Sequence, residues 1–104
     1  MENLDKEKIE QIVKTRKQAN AYFTKRSKVF RTFCELEDQT YEAGALSVKE
    51  KRLIAIGIAV AINCESCMEW SIKQALEHGA TAEEIVEAVD VAIEMRGGPA
   101  TAFA

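Results

Sequence analysis

An all-α fold of five to six helices follows from three observations on the sequence. The 104 residues hold one proline and five glycines, so long stretches run without a helix breaker. Apolar residues recur at three- and four-residue steps over most of the chain, the period of a helix with one buried face. Two S/T-x-x-E capping boxes, Ser47-Val48-Lys49-Glu50 and Thr81-Ala82-Glu83-Glu84, mark helix starts. The length allows one domain, residues 1–104, with a single core.

The first helix is expected from Asp5 to about Ser27. Its apolar residues are sparse (Ile9, Ile12, Val13, Ala19, Tyr22, Phe23) and lie among many lysines and glutamates. Residues 1–27 therefore read as a peripheral N-terminal helix with a narrow buried edge and a solvated charged face. A second helix is expected from Lys28 to Ala43, with Val29, Phe30, Phe33, Cys34, Leu36 and Tyr41 in helical register and Gly44 as its left-handed terminator. The third follows the Ser47 box through Arg52 into Leu53–Ile62, a run apolar on every face that belongs at the centre of the molecule. Its β-branched residues would also suit a strand, and the capping box and interleaved alanines decide for helix.

A fourth helix is expected to begin at Asn63 as cap, with Cys64 in its first position, and to end at His78-Gly79. The fifth follows the Thr81 box, with Ile85, Val86, Val89, Ile93 and Met95 on its buried side. Gly97-Gly98-Pro99 is expected to break it. A last apolar turn, Ala100 to Ala104, would restart at Pro99 and dock on helix three or on a neighbouring subunit.

Composition narrows the function classes. A net charge of −3 leaves no basic footprint for nucleic acid. The N-terminus is charged (Glu2, Asp5, Lys6, Glu7, Lys8) and carries no secretory leader pattern. Leu53–Ile62 is short of the roughly 18 apolar residues of a membrane span. A cytoplasmic protein is the resulting expectation. In that reducing compartment Cys64-x-x-Cys67 reads as a catalytic or metal-binding pair, not a structural staple.

At i and i+3 near a helix start, the two sulfurs can bridge, and unpaired N–H groups there favour thiolate. A thioredoxin-like reading requires a βαβ alternation that the chain lacks. Zinc requires about four ligands. Beyond the pair only Cys34 and His78 remain, and His78 stands about 16 Å along the helix from Cys67. The pair thus reads as a redox dithiol needing no metal or organic cofactor. Cys34, beside Phe30 and Phe33, reads as a small core hydrophobe. Glu65 and Glu69 read as first-turn carboxylates, His78 as a helix C-terminal residue and Trp70 as a packing anchor.

The run Ala45-Leu46-Ser47-x-Lys49-Glu50-Lys51-x-Leu53-Ile54, the CxxC, Gly79-Ala80-Thr81-x-Glu83-Glu84-Ile85 and Gly97-Gly98-Pro99-Ala100 resemble the AhpD-like, carboxymuconolactone decarboxylase family in order and spacing. The resemblance covers roughly Phe30 to Ala102. It implies an all-helical homo-oligomer, a trimer or hexamer. In the redox branch it implies a peroxidase acting on a small peroxide substrate, with Cys67 as the peroxidatic and Cys64 as the resolving cysteine. A dithiol reductant protein, such as a lipoyl-bearing one, would restore the thiols. Spacing alone does not say which sulfur acts first.

The chain departs from that branch at the proton relay, where relatives resemble CxxCxxxH with a glutamate about twelve residues before the first cysteine. Here Ser71 and Arg52 stand at those positions. Neither relays protons near neutral pH, and their expected role is to stabilise the Cys67 thiolate. Two other readings accompany the peroxidase. One is a lactone decarboxylase, for which a redox CxxC is superfluous and His78 the single imidazole. The other is a non-enzymatic redox-sensing oligomer.

Overall fold

The computed structural model of the chain describes the backbone of residues 2–102 and the side chains of residues 5–97. Five helices and no strand occur among them: α1 Glu2–Arg26, α2 Lys28–Thr40, α3 Val48–Ala61, α4 Glu65–Glu77 and α5 Ala82–Ala102. They divide into two compact units, Met1–Glu42 and Ala43–Ala104.

In the first unit, α1 gives way to α2 at Ser27. Its hydroxyl caps α2 by accepting the Phe30 N–H at 2.9 Å. Arg31 reaches back to the Thr24 carbonyl at 2.9 Å, satisfying an acceptor left open at the end of α1. Tyr22, Phe23, Phe30 and Phe33 form a chain of ring contacts across the break. α2 is strongly amphipathic yet buries none of its residues, and Val29, Phe33 and Leu36 stay exposed. The helix ends at Thr40, earlier than expected, and Gly44 does not terminate it. The Tyr41 and Glu42 N–H groups close the last turn onto Glu37 and Gln39, so no left-handed residue is needed.

The second unit packs α3 against both α4 and α5. Both capping boxes form. Ser47 and Glu50 exchange bonds of 2.9 and 3.0 Å at the start of α3, and Thr81 and Glu84 exchange bonds of 2.8 and 3.1 Å at the start of α5. Lys49 ties the two starts together with a 2.9 Å ion pair to Glu84. The core is Ile56, Ala75 and Ala80, with Leu53, Ile72, Ile85, Ala88 and Val89 packed around it. A Cβ on Gly57 would stand 3.4 Å from the Ala88 carbonyl, so the small residue lets α3 and α5 approach closely.

Three expectations need correction. α3 is not buried all round: Arg52, Ile56 and Ala59 are buried, whereas Ile54, Ile58 and Ile62 are exposed. A helix touching two neighbours has a third face left over, and this stripe lies on it. On α5 the inward residues are Ile85, Ala88, Val89 and Ala92, and Val86, Ile93 and Met95 face out. α5 also runs unbroken through Gly97-Gly98-Pro99. Gly98, having no Cβ, relieves part of the clash that keeps a proline's predecessor out of the helical region, while the missing N–H of Pro99 still forfeits one bond of the ladder. Phe103 and Ala104, part of the expected apolar tail, lie outside the described residues.

Ile56 is the large side chain that the core covers completely. Ile56→Ala should cost about 2–5 kcal/mol, read as a lower denaturant midpoint with unchanged slope. Stability should also depend on acid pH. The Ser47 N–H and hydroxyl hold the Glu50 carboxyl below its usual range. The Lys49 ammonium and the Thr81 N–H do the same for Glu84. A carboxylate whose folded pKa is depressed contributes stability above its unfolded value, about 4.3 for glutamate, and loses it as pH falls through the folded value. The melting temperature should thus hold from pH 7 to about 5 and drop below about 4. Glu84→Gln should flatten that drop.

Candidate functional site

The site is built by the way α3 ends. Its last four carbonyls, Ile58 to Ala61, have no partner inside the helix. Ile62 N–H donates to Ile58 at 2.9 Å, Asn63 N–H to Val60 at 3.1 Å and Cys64 N–H to Ala59 at 3.0 Å. The fourth, Ala61, accepts from the Arg96 guanidinium of α5 at 2.6 Å. Asn63 adopts φ 57°, the left-handed conformation that closes such a Schellman turn and that asparagine tolerates better than most residues. The same motif, with Gly79 at φ 90°, ends α4.

Asn63 therefore terminates α3 and does not cap α4. The cap is Cys64 itself, at φ −103° and ψ 100°, whose sulfur accepts the Cys67 N–H at 3.2 Å. Cys67 follows as the third residue of α4. The two Cα atoms are 5.2 Å apart and a disulfide joins the sulfurs, within the spacing such bonds require. Ser66 places its hydroxyl 3.6 Å from the Cys64 sulfur. Cys64 is half-buried, whereas Cys67 and Ser66 are exposed. The arrangement leaves Cys67 the more exposed cysteine and holds the Cys64 sulfur among donors at the positive end of a helix.

Arg52 is buried on α3, and Ser71 is buried on α4 one turn beyond Cys67. Cys34 is a free, half-buried thiol on α2. His78 caps the end of α4, with Nδ1 2.8 Å from the Gln74 carbonyl, to which it donates. Trp70 is half-buried, with the Lys73 ammonium 5.9 Å from its ring centre. No group of three or more His, Cys, Asp or Glu side chains gathers among the described residues. No helix among them is long and apolar enough to cross a membrane.

The sequence reading missed two participants. Ser66 lies inside the motif and could have been noticed as a hydroxyl at a helix start. Arg96 gives no local signal, because its partner is 35 residues away.

The sequence profile of the carboxymuconolactone decarboxylase family matches residues 27–104. Among curated proteins, the chain is 43% identical over 72 residues to uncharacterized protein 4 in the cox locus of Paracoccus denitrificans. It is 41% identical over 61 residues to an uncharacterized protein of Cupriavidus necator. These alignments take in 69% and 59% of this chain, and they span 65% and 54% of the two relatives.

Among solved structures, a carboxymuconolactone decarboxylase family protein from Legionella pneumophila superposes with a TM-score of 0.81 at 31% identity, over 92% of this chain and 87% of that one. A family member from Thermotoga maritima, for which involvement in the antioxidative response has been suggested, gives 0.74 at 27% identity, over 83% and 74%. A Methanobacterium thermoautotrophicum protein gives 0.71 at 30% identity, over 79% and 92%. With its five helices, its disulfide-linked Cys64–Cys67 pair and this match, the chain belongs to the carboxymuconolactone decarboxylase family.

Proposed function

We propose that the chain is a thiol–disulfide oxidoreductase that reduces small alkyl hydroperoxides through Cys64 and Cys67. The observation that carries this reading is the disulfide across the first turn of α4, with Cys67 exposed. The Cys67 thiolate attacks the peroxide O–O bond, giving a sulfenic acid and, after protonation, an alcohol. Cys64 then displaces water from that sulfenic acid and closes the disulfide, which protects Cys67 from over-oxidation. A dithiol protein returns two electrons and two protons. The antioxidative role suggested for the Thermotoga neighbour agrees with this chemistry. Ser71, one turn beyond Cys67, and Arg52, on the helix packed against α4, are proposed as stabilisers of the thiolate. A hydroxyl and a guanidinium donate hydrogen bonds and do not relay protons near neutral pH.

A homo-oligomer, trimer or hexamer, completes the proposal. Ile54 and Ile58 of α3 and Val91 and Met95 of α5 line an open groove of about 650 Å³. All four are exposed. A contiguous apolar surface of this kind marks an interaction site, and a second copy would cover it.

Two measurements check these statements. Reduced wild-type protein should consume one equivalent of peroxide and form the Cys64–Cys67 disulfide. Cys67→Ser should consume none, and Cys64→Ser should stop at a sulfenic acid that a dimedone probe captures. Ser71→Ala and Arg52→Met should slow the first step while leaving the disulfide able to form. Equal consumption by wild type and Cys67→Ser would refute the peroxidase, and a disulfide that forms without turnover would point to a redox sensor. For assembly, sedimentation should give a trimer or hexamer mass that Ile58→Glu reduces to that of a single chain.

A further inference from the structure

We infer that the two sulfurs have fixed and unequal parts in reduction: an incoming reductant thiol attacks Cys67, and Cys64 leaves as a thiolate that the Ser66 hydroxyl and the Cys67 N–H hold. The inference rests on the dithiol reading above and adds the direction of exchange and Ser66 as a positioning residue.

Three observations carry it. Cys67 is exposed whereas Cys64 is half-buried, so a thiol carried by another molecule reaches the outer sulfur first. The Cys64 sulfur accepts the Cys67 N–H at 3.2 Å. The Ser66 hydroxyl lies 3.6 Å from that sulfur, and because a disulfide sulfur carries no hydrogen, the hydroxyl is the donor. Both donors are in place before the bond breaks, so charge developing on Cys64 meets oriented hydrogen bonds and the positive end of α4. Exchange is faster when the leaving thiol is the more acidic of the pair.

In the first step a reductant thiolate forms a bond to Cys67 Sγ as the Cys64–Cys67 bond breaks, and the electron pair departs on Cys64 Sγ. The second thiol of the dithiol reductant, as thiolate, attacks the reductant sulfur of this mixed disulfide and releases Cys67. The reductant becomes a disulfide, losing two electrons, and its two protons pass to the two cysteines. Cys67 thus faces the solvent in both halves of the cycle and Cys64 serves as its internal partner.

A monothiol separates the two steps, because the second then requires another thiol molecule in place of an attack from within the same reductant. The full-length oxidised protein is mixed with 2-mercaptoethanol, quenched in acid, alkylated with N-ethylmaleimide and mapped by peptide mass spectrometry. The adduct is expected on Cys67, with Cys64 alkylated, in a several-fold excess, because Cys67 is the more exposed of the two and Cys64 the better-held leaving thiolate. Ser66→Ala should shrink that excess several-fold and slow reduction by dithiothreitol, and Ser66→Thr should restore both. An even distribution, or one favouring Cys64, overturns the direction of exchange. Ser66→Ala behaving as wild type overturns the part given to Ser66. A chain that forms no disulfide under diamide fails earlier, at the dithiol reading itself, and the assay uses no peroxide.

Discussion

The constraint on which the rest depends is that one residue closes one helix and opens the next. Cys64 donates its N–H to Ala59, completing the turn that ends α3, and accepts the Cys67 N–H on its sulfur, capping α4. The position of the first sulfur is therefore inherited from the way α3 terminates. The second sulfur follows one helical turn later, within bridging distance. Anything that shifts α3 along its axis shifts the dithiol with it. The far end of α3 is accordingly pinned by the Ser47–Glu50 box and the Lys49–Glu84 pair, its middle by Ile56 and its near end by Arg96.

The packing that holds α3 has a consequence at the surface. Much of the core of the second unit is alanine: Ala59, Ala75, Ala80 and Ala92 are buried beside Ile56. Small residues let the backbones approach, as Gly57 does against Ala88. Close approach gains dispersion contacts and hydrogen-bond reach but encloses little volume. Beyond Ile56, Ile85 and Val89, the larger residues Ile54 and Ile58 of α3 and Val86, Val91 and Ile93 of α5 find no room between the helices and face outward. The apolar groove and the rigid dithiol thus have one origin, a tightly packed trio of helices too thin to bury both faces of its middle member.

What was legible in the sequence was local. Both capping boxes are patterns of four residues that make their own bonds, and both form as read. The cysteine spacing likewise fixed its own geometry, and the helical class followed from periodicity. The errors arose where a residue had two admissible uses or a distant partner. Asn63 is a favoured cap and also a tolerated left-handed residue, and which use it takes depends on where α3 runs out. Gly98 lacks the Cβ that would add to the clash with Pro99, and the triplet, which reads as a stop, folds as helix. The Ile54–Ile58–Ile62 stripe reads as core by composition, and only the number of neighbours around α3 shows which face is left over. Arg96 was invisible because its bond to Ala61 depends on the α3–α5 packing.

The replacement of the relay at positions 52 and 71 bears unequally on the two reactions the dithiol could perform. Thiol–disulfide exchange expels a thiolate, which is stable near neutral pH and needs no proton as it leaves. Peroxide cleavage expels an alkoxide, a far stronger base, and is fast when an acid is positioned to protonate it. A guanidinium and a hydroxyl help hold an anion but do not supply that proton. Positions 52 and 71 therefore supply no proton for the alkoxide, and the neighbouring Cys64 sulfur sits where donors favour its anion. The environment of the pair is thus better matched to exchange with a dithiol partner than to rapid peroxide turnover. Electron transfer through Cys64 and Cys67 accordingly needs no relay group, whereas the proposed peroxidase needs a proton that a guanidinium and a hydroxyl do not give up near neutral pH.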